Sequence, residues 1–166
     1  MLQGIKVKPL KIFADERGFF TEIFKSKMKE IFSEQIVQAN LSITYPGIIR
    51  AWHKHERGQI DYFVVVKGAA KICAYKEESK ELNEVISTGK EIQVVRVPGL
   101  YWHGFKALGN EPSIIIYFVN KLYDPKDPDE VRRDWKDPEI VPKKINDKKD
   151  DPRCNKPWDC VASPNK

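Results

Sequence analysis

The chain has 166 residues, 41% of them hydrophobic and 32% charged, so it is long enough to bury the core of a single globular domain. The net charge of +5 is a mild excess with both signs mixed, which excludes the concentrated basic face of a nucleic-acid-binding protein but suits an anionic ligand. We find no run of about 18 apolar residues and no signal peptide, so we expect a cytoplasmic protein without a membrane partner.

Short strands dominate the predicted secondary structure. Residues 5–13 suggest a first strand, and apolar residues at near-helical spacing within 25–33 predict one or two turns of helix. The later predicted strands are 35–44, 48–55, 59–66, 69–76, 81–87, 91–97, 101–107 and 112–120. Strand starts that recur every roughly 8 to 12 residues, without amphipathic helices between them, predict an all-β sandwich or closed barrel with a ligand site inside.

The composition changes after Tyr123. Residues 124–156 are rich in Asp, Lys, Arg, Glu and Pro, which predicts an irregular tail draped over the domain, with Trp135 and Trp158 as its anchors. We therefore expect a domain over residues 1–140 and a charged C-terminal tail over 141–166 that is packed on it or extends from it.

The cysteines number three, and an odd number fits reduced thiols better than a disulfide framework. Cys73 lies in an apolar stretch and is predicted to belong to the core. Cys154 and Cys160 are predicted to be plain thiols of the tail. A small loop or a metal site is the alternative for this pair, although their spacing matches no strong zinc pattern.

All three histidines lie in two stretches, RAWHKHERGQIDYF (50–63) and VPGLYWHGF (97–105). Alternate side chains of an extended chain share a face, so His53 and His55 point one way, and Gln59 and Asp61 share a face of the next strand. The polar sides of the two strands are therefore expected to converge on one pocket. Histidine is suited to proton transfer there because its ordinary pKa lies near neutrality.

The sequence motifs around these histidines resemble those of a known protein superfamily. The His-x-His pair, an acid seven residues before Gly68 and a proline five residues before His103 resemble the two motifs of the cupins, which are small jelly-roll barrels. A closer resemblance, over most of residues 12–140, is to the dTDP-4-dehydrorhamnose 3,5-epimerase branch. The matching pieces are DERGFFTE (15–22), QANLS (38–42), GIIRAWH (47–53), Gln59, PGLYWHGF (98–105), Tyr117, YDP (123–125) and DWKDP (134–138). The resemblance implies an all-β, cupin-type jelly-roll barrel.

The resemblance also implies a reaction. A base removes a proton from a carbon beside the ketone of a 4-keto sugar, an enolate forms, and an acid returns a proton from the opposite face without a cofactor. His53 would be the base and Tyr117 the acid. A carboxylate of the C-terminal segment would orient His53, and Asp150 fits that role better than Asp147 or Asp151.

For the nucleotide-diphosphate sugar, the resemblance implies a set of residues that hold the diphosphate, the base and the sugar. These are Arg17, Phe20, Glu22, Gln38, Asn40, Arg50, Gln59, His103 and Tyr123. The alternative for His103 is a packing residue that lines the barrel. Guanidinium groups bind phosphate oxygens with two parallel bonds, and aromatic rings stack on bases. In the family the segment equivalent to residues 17–22 reaches into a neighbouring subunit's site, which implies a homodimer with exchanged N-terminal segments.

The chain departs from the epimerases at two positions. Asp61 stands where they have a lysine that stabilises the enolate oxygen, and His55 stands where they have a glutamine. One hypothesis is that Asp61 raises the pKa of His55, whose protonated ring replaces the lysine as the cation. The second is that His53, His55, Asp61 and His103 bind a divalent metal ion that polarises the carbonyl.

We therefore expect a 3,5-epimerase, an isomerase that acts on a dTDP-4-keto-6-deoxyhexose. Three alternatives stay open at this point. They are a dTDP-4-keto-6-deoxyhexose 3,4-ketoisomerase, a metal-dependent cupin enzyme of another class, and a sugar-binding cupin without activity.

Overall fold

The computed structural model describes residues 1–159, and strands are their only regular secondary structure. The strands are β1 Lys6–Pro9, β2 Ile12–Asp15, β3 Gly18–Thr21, β4 Gln38–Thr44, β5 Ile49–Lys54, β6 Ile60–Lys67, β7 Ala69–Lys76, β8 Glu81–Thr88, β9 Gln93–Pro98, β10 Trp102–Leu108, β11 Ser113–Val119, β12 Val131–Arg132 and β13 Lys144–Ile145. The first sheet has the order β1-β9-β6-β11-β4 and the second has the order β12-β5-β10-β7-β8-β13. The hairpin β2-β3 forms a separate sheet. The predicted all-β class is confirmed.

The main core lies between the inner faces of the two sheets. Phe63 and Val65 of β6 and Ile115 of β11 pack there against Ile72 and Ala74 of β7. Burying a large apolar side chain contributes about 1.5–3 kcal/mol, so this layer is a major source of stability. Because side chains alternate along β6, the same strand that fills the core also directs Asp61 inward.

A second core covers the outer face of the first sheet. Ile31 and Phe32, each 1% exposed, pack there against Tyr62, Val64 and Phe118. The predicted helix over 25–33 is wrong, since this segment forms turns in which the Phe32 N–H donates to the Met28 carbonyl at 2.9 Å. So short a helix gains too few hydrogen bonds to offset its nucleation cost, and the segment instead buries two adjacent side chains.

The C-terminal segment packs on the outer face of the second sheet. Ile140, Ile145 and Trp158 form a third core with Trp52 and Tyr75, and β13 pairs in parallel with β8. The Trp158 indole N–H donates to the Trp135 carbonyl at 2.9 Å, so the two predicted anchors contact each other. The boundary at residue 140 stays a prediction.

The cysteine predictions have different outcomes. Cys73 is fully buried in the third core, as predicted, and Cys154 is partly buried against it. Cys160 lies outside the described residues. Within residues 1–159, no helix is long and apolar enough to cross a membrane.

Candidate active site

A cavity of about 670 Å³ opens between the two sheets. Strands β4, β5, β6 and β11 supply its walls, and the segment that leads into β12 closes one side. Its polar and aromatic lining includes Gln38, Asn40, Arg50, His53, His55, Gln59, Asp61, Tyr117, Lys121, Tyr123, Asp129, Glu130, Arg132 and Arg133. The volume suits a small organic ligand.

The three imidazoles surround one carboxylate at the buried end of this cavity. β5 and β10 pair so that His53 lies opposite His103, and β6 brings Asp61 to them. One oxygen of Asp61, Oδ2, lies 2.8 Å from Nε2 of His103, 3.7 Å from Nε2 of His55 and 3.9 Å from Nε2 of His53. The predicted convergence of both strands on one pocket is thus present in the structure.

Two of the rings are held by backbone carbonyls on their far sides. Nδ1 of His103 lies 2.8 Å from the Tyr101 carbonyl oxygen, and Nδ1 of His55 contacts the Asp129 carbonyl oxygen. A carbonyl only accepts, so each Nδ1 carries the hydrogen, and the neutral ring presents an Nε2 lone pair to Asp61. For His55 this lone pair accepts a hydrogen bond from the Gln59 side-chain amide at 3.0 Å. For His103 a lone pair facing the carboxylate at 2.8 Å would be repulsive, so this contact needs a positive charge, either a proton between the two atoms or a metal ion at the cluster.

The four residues fit a divalent metal ion. Ligand atoms of His53, His55, Asp61 and His103 all lie within 4.8 Å of one another. Ligands at 2.0–2.1 Å from a tetrahedral zinc ion are separated by about 3.3 Å, and the three Nε2 to Oδ2 distances bracket that value. Imidazole and carboxylate ligands suit zinc, iron, nickel or manganese.

The same cluster shifts the pKa values of its members. Burial and the charge of His103 lower the pKa of His53 to about 4. Burial opposes protonation of His55 as well, but the hydrogen bond and charge of Asp61 raise its pKa. Asp61 is itself buried, yet hydrogen bonds from the histidines hold its pKa well below the usual range. The carboxylate is therefore ionised.

Six of the predicted site residues besides the cluster line the cavity. They are Gln38, Asn40, Arg50, Gln59, Tyr117 and Tyr123. Gln59 lies closest to the cluster, and its amide N–H donates to Asp61 at 2.8 Å. The guanidinium of Arg50 donates to the Thr44 hydroxyl at 3.0 Å, which leaves its charge available for an anionic ligand.

Other predicted residues lie elsewhere. His103 is completely buried against Asp61 and is absent from the cavity lining, which suits a packing residue, and a contact with substrate stays a prediction. Asp150 is exposed on the C-terminal segment and does not line the cavity. Arg17, Phe20 and Glu22 belong to the β2-β3 hairpin and the residue after it, outside the cavity of their own chain.

Sequence reasoning missed five charged residues of the cavity. They are Lys121, Asp129, Glu130, Arg132 and Arg133, four of them in the segment read as an irregular tail. Charged Glu130 and Arg132 alternate with apolar Val131, and this alternation is the one sequence pattern that could have predicted a short strand here. It is weak because a strand of two residues provides almost no periodic pattern.

The fold and the cavity define a cupin-type jelly roll with a site for a polar ligand. The family model described as "Polysaccharide biosynthesis C-terminal domain" matches residues 13–131, and the chain belongs to this family.

Two relatives and a solved structure are similar to this chain. The probable low-salt glycan biosynthesis epimerase of Haloferax volcanii is 42% identical over 79% of this chain and 86% of its own. A spore coat polysaccharide biosynthesis protein of Bacillus subtilis is 38% identical over 84% of this chain and 94% of its own. The dTDP-6-deoxy-D-glucose-3,5-epimerase of Legionella pneumophila, solved with dTDP-4-keto-L-rhamnose, superposes with a TM-score of 0.70 at 27% identity, over 82% of this chain and 76% of its own. The predicted jelly-roll fold, the resemblance to the dTDP-sugar epimerases and the isomerase class are confirmed.

Proposed function

We propose that the chain inverts a carbon beside the ketone of a 4-keto-6-deoxy sugar carried on a nucleoside diphosphate, with a divalent metal ion held by His53, His55, Asp61 and His103. The observation that carries this proposal is the convergence of the four ligand atoms at the buried end of a cavity that also contains Tyr117. Arg50 lines the same cavity, and we assign its guanidinium to the diphosphate.

The chemistry requires stabilisation of an enolate. Removing a proton beside a ketone places negative charge on the carbonyl oxygen, and an ionised Asp61 alone would repel that charge. A metal ion held by His53, His55, Asp61 and His103 would supply a Lewis acid for this oxygen. Tyr117 lines the wall formed by the first sheet, and its phenol can return a proton to the sugar. Burial and the charge of Asp61 raise its pKa, which keeps it protonated at neutral pH.

A metal-free version of the same reaction is the second candidate. The pKa of about 4 leaves His53 unprotonated and able to act as a base, and the raised pKa of His55 favours a cation in place of the family's lysine. This version assigns Asp61 the role of holding the proton on His55. Both versions bind the same substrate class.

We also propose that the enzyme is a cytoplasmic homodimer in which the β2-β3 hairpin reaches the partner's cavity. The hairpin is separate from both sheets, and Phe19 and Phe20 at its end are 55% and 63% exposed. An isolated two-stranded hairpin is marginally stable, so a second copy that covers these rings would stabilise it. In that position Arg17 would contact the diphosphate and Phe20 the base. Light scattering measures the oligomeric state, and a monomer would contradict this part of the proposal.

The reaction is tested by NMR in deuterium oxide with dTDP-4-keto-6-deoxyglucose as the probe, alongside elemental analysis and a chelator. We expect deuterium to enter carbons beside the ketone, about one metal ion per chain, and loss of exchange with the chelator that is reversed by added Zn²⁺ or Mn²⁺. Exchange in a metal-free, chelated sample would overturn the metal and favour the His53 base. An absence of exchange with the metal-loaded protein would overturn the epimerase.

A further inference from the structure

The proposed metal site leaves the reaction without a base. Metal binding would use one ring nitrogen of each of His53, His55 and His103 and one oxygen of Asp61, so none of these atoms would be free to take a proton from carbon. The inversion also needs proton donors and acceptors on two opposite faces of the sugar. Tyr117 supplies one face, and the other has to be found on the wall formed by the second sheet.

Glu130 occupies that wall. β12 pairs with β5 so that Arg132 lies opposite His53, and paired residues of an antiparallel ladder direct their side chains to the same face. Glu130, two residues before Arg132, follows the same alternation. Its side chain is 19% exposed and lines the cavity that contains Tyr117 and the cluster.

The remaining carboxylate of the cavity already has a structural task. Asp129 accepts hydrogen bonds from the backbone N–H groups of Glu56 and Arg57, at 2.9 and 3.0 Å, and its carbonyl holds His55. Glu130 makes one hydrogen bond to a side chain of the described residues, from Arg132 to Oε2 at 2.9 Å. Its other oxygen, Oε1, is therefore available for a substrate.

Tyr117 and Glu130 both line the cavity and belong to opposite walls of it. After burial and the charge of Asp61, the charge of Glu130 is a further cause that raises the pKa of the Tyr117 phenol. Tyr117 belongs to β11 of the first sheet, whereas Glu130 adjoins β12 of the second. A sugar ring between the two sheets would therefore present one face to each group.

We infer that Glu130 is the catalytic base of the proposed reaction and that Tyr117 is its partner acid. This inference rests on the proposed function. The carboxylate takes the proton from the carbon beside the ketone, and the electron pair of the broken C–H bond moves into the enolate. The phenol then donates its proton to the opposite face of that carbon, which forms the new C–H bond. Exchange of protons with water returns the carboxylic acid and the phenolate to their starting states.

The test compares Glu130→Gln, Glu130→Asp and Glu130→Ala with the native enzyme in the deuterium experiment. We expect Glu130→Gln to slow deuterium entry about 10²–10⁴-fold, the range of a lost general base, while the metal content and the affinity for dTDP stay unchanged. Glu130→Asp keeps a displaced carboxylate and should retain an intermediate rate. Added formate should restore part of the rate of Glu130→Ala, because it replaces the missing carboxylate. Glu56→Gln is the matched control, since Glu56 is an exposed acid outside the cavity that pairs with Lys54, and it should behave as the native enzyme does.

The outcomes separate this inference from the proposed function. A native enzyme without exchange overturns the proposed function itself. Native exchange together with a native rate for Glu130→Gln overturns the base and leaves the epimerase standing. A third outcome is that Glu130→Gln slows deuterium entry and also loses dTDP affinity or metal, while formate fails to restore the rate of Glu130→Ala. That result would mean that Glu130 only positions the substrate or the metal site, and it overturns the inference as well.

Discussion

Asp61→Asn tests the metal site most directly, because it removes a charge with almost no change of shape. In the native protein Asp61 lies 2.8 Å from Nε2 of His103 and accepts a hydrogen bond from Gln59 at 2.8 Å. An asparagine keeps the oxygen for Gln59, and its N–H can donate to the Nε2 lone pair of His103. Because the ionised Asp61 is held by hydrogen bonds from the histidines, we expect the metal-free variant to have an unfolding free energy about 1.5–3 kcal/mol below that of the metal-free native protein, the value of a hydrogen bond to a charged group.

The magnitude of the metal effect follows from binding to the folded state alone. A metal ion at 100 times its Kd stabilises the native protein by about 2.7 kcal/mol. For a chain of this length, each kcal/mol shifts Tm by about 2–4 °C, so the metal should raise the native Tm by about 5–11 °C. Asp61→Asn lacks the anionic ligand and should show little or no increase.

The assay is calorimetry of chelator-treated protein before and after addition of Zn²⁺ or Mn²⁺. Asp127→Asn is the matched control, since Asp127 is 69% exposed and pairs with Arg57 outside the cavity. It should keep the full increase in Tm. A native Tm that does not respond to metal, or an increase of native size in Asp61→Asn, would refute the reasoning.

Three further predictions concern Tyr117 as the proton donor, the packing of the C-terminal segment, and the loss of stability at low pH. Tyr117→Phe should slow deuterium entry about 10²–10⁴-fold with unchanged dTDP affinity, measured by NMR and calorimetry; a native rate would remove Tyr117 from the mechanism. Trp158→Ala should lower the unfolding free energy by about 3–5 kcal/mol, because this ring is 4% exposed in the third core. Urea titration measures this change, and a loss below about 1 kcal/mol would mean that the C-terminal segment is not part of the fold. Glu34 is partly buried, which raises its pKa, but hydrogen bonds from Tyr62 and Arg96 outweigh burial and lower it. The stability that Glu34 contributes is therefore present above its unfolded-state pKa and is lost as the pH falls through the lower folded-state pKa. Glu34→Gln should make the unfolding free energy fall less steeply with pH below about pH 5, and an unchanged slope would contradict this assignment.

Local patterns predicted the strands well. Eight predicted strands from residue 35 to 120 correspond to β4 to β11, with ends that agree within a few residues. They succeed because alternation along a strand depends only on the local backbone period. The segment 25–33 failed because its apolar spacing fits a helix as well as a turn buried on a sheet. Only the partners Tyr62 and Phe118 distinguish these two cases.

Alternation along one strand and its turn predicted the centre of the site, and the family resemblance added cavity residues from other strands, among them Asn40 and Tyr117. His53, His55, Gln59 and Asp61 lie within nine residues, so alternation alone placed them on converging faces. The role of Asp61 was open because a carboxylate beside histidines either holds a proton or binds a metal. That choice depends on the ring orientations, which the carbonyls of Tyr101 and Asp129 determine.

The sequence by itself determined the all-β class, the strand positions and the pair of histidines next to an acid. The metal hypothesis already grouped His103 with that pair and the acid, but only the tertiary structure decided how distant strands bring it there and that residues of the segment 129–133 complete the cavity. His103 reaches the cluster because β10 pairs with β5, and Glu130 reaches the cavity because β12 pairs with the other edge of β5. Such pairings join residues more than 40 positions apart, and they depend on the order of strands in the sheet, which no local periodicity encodes.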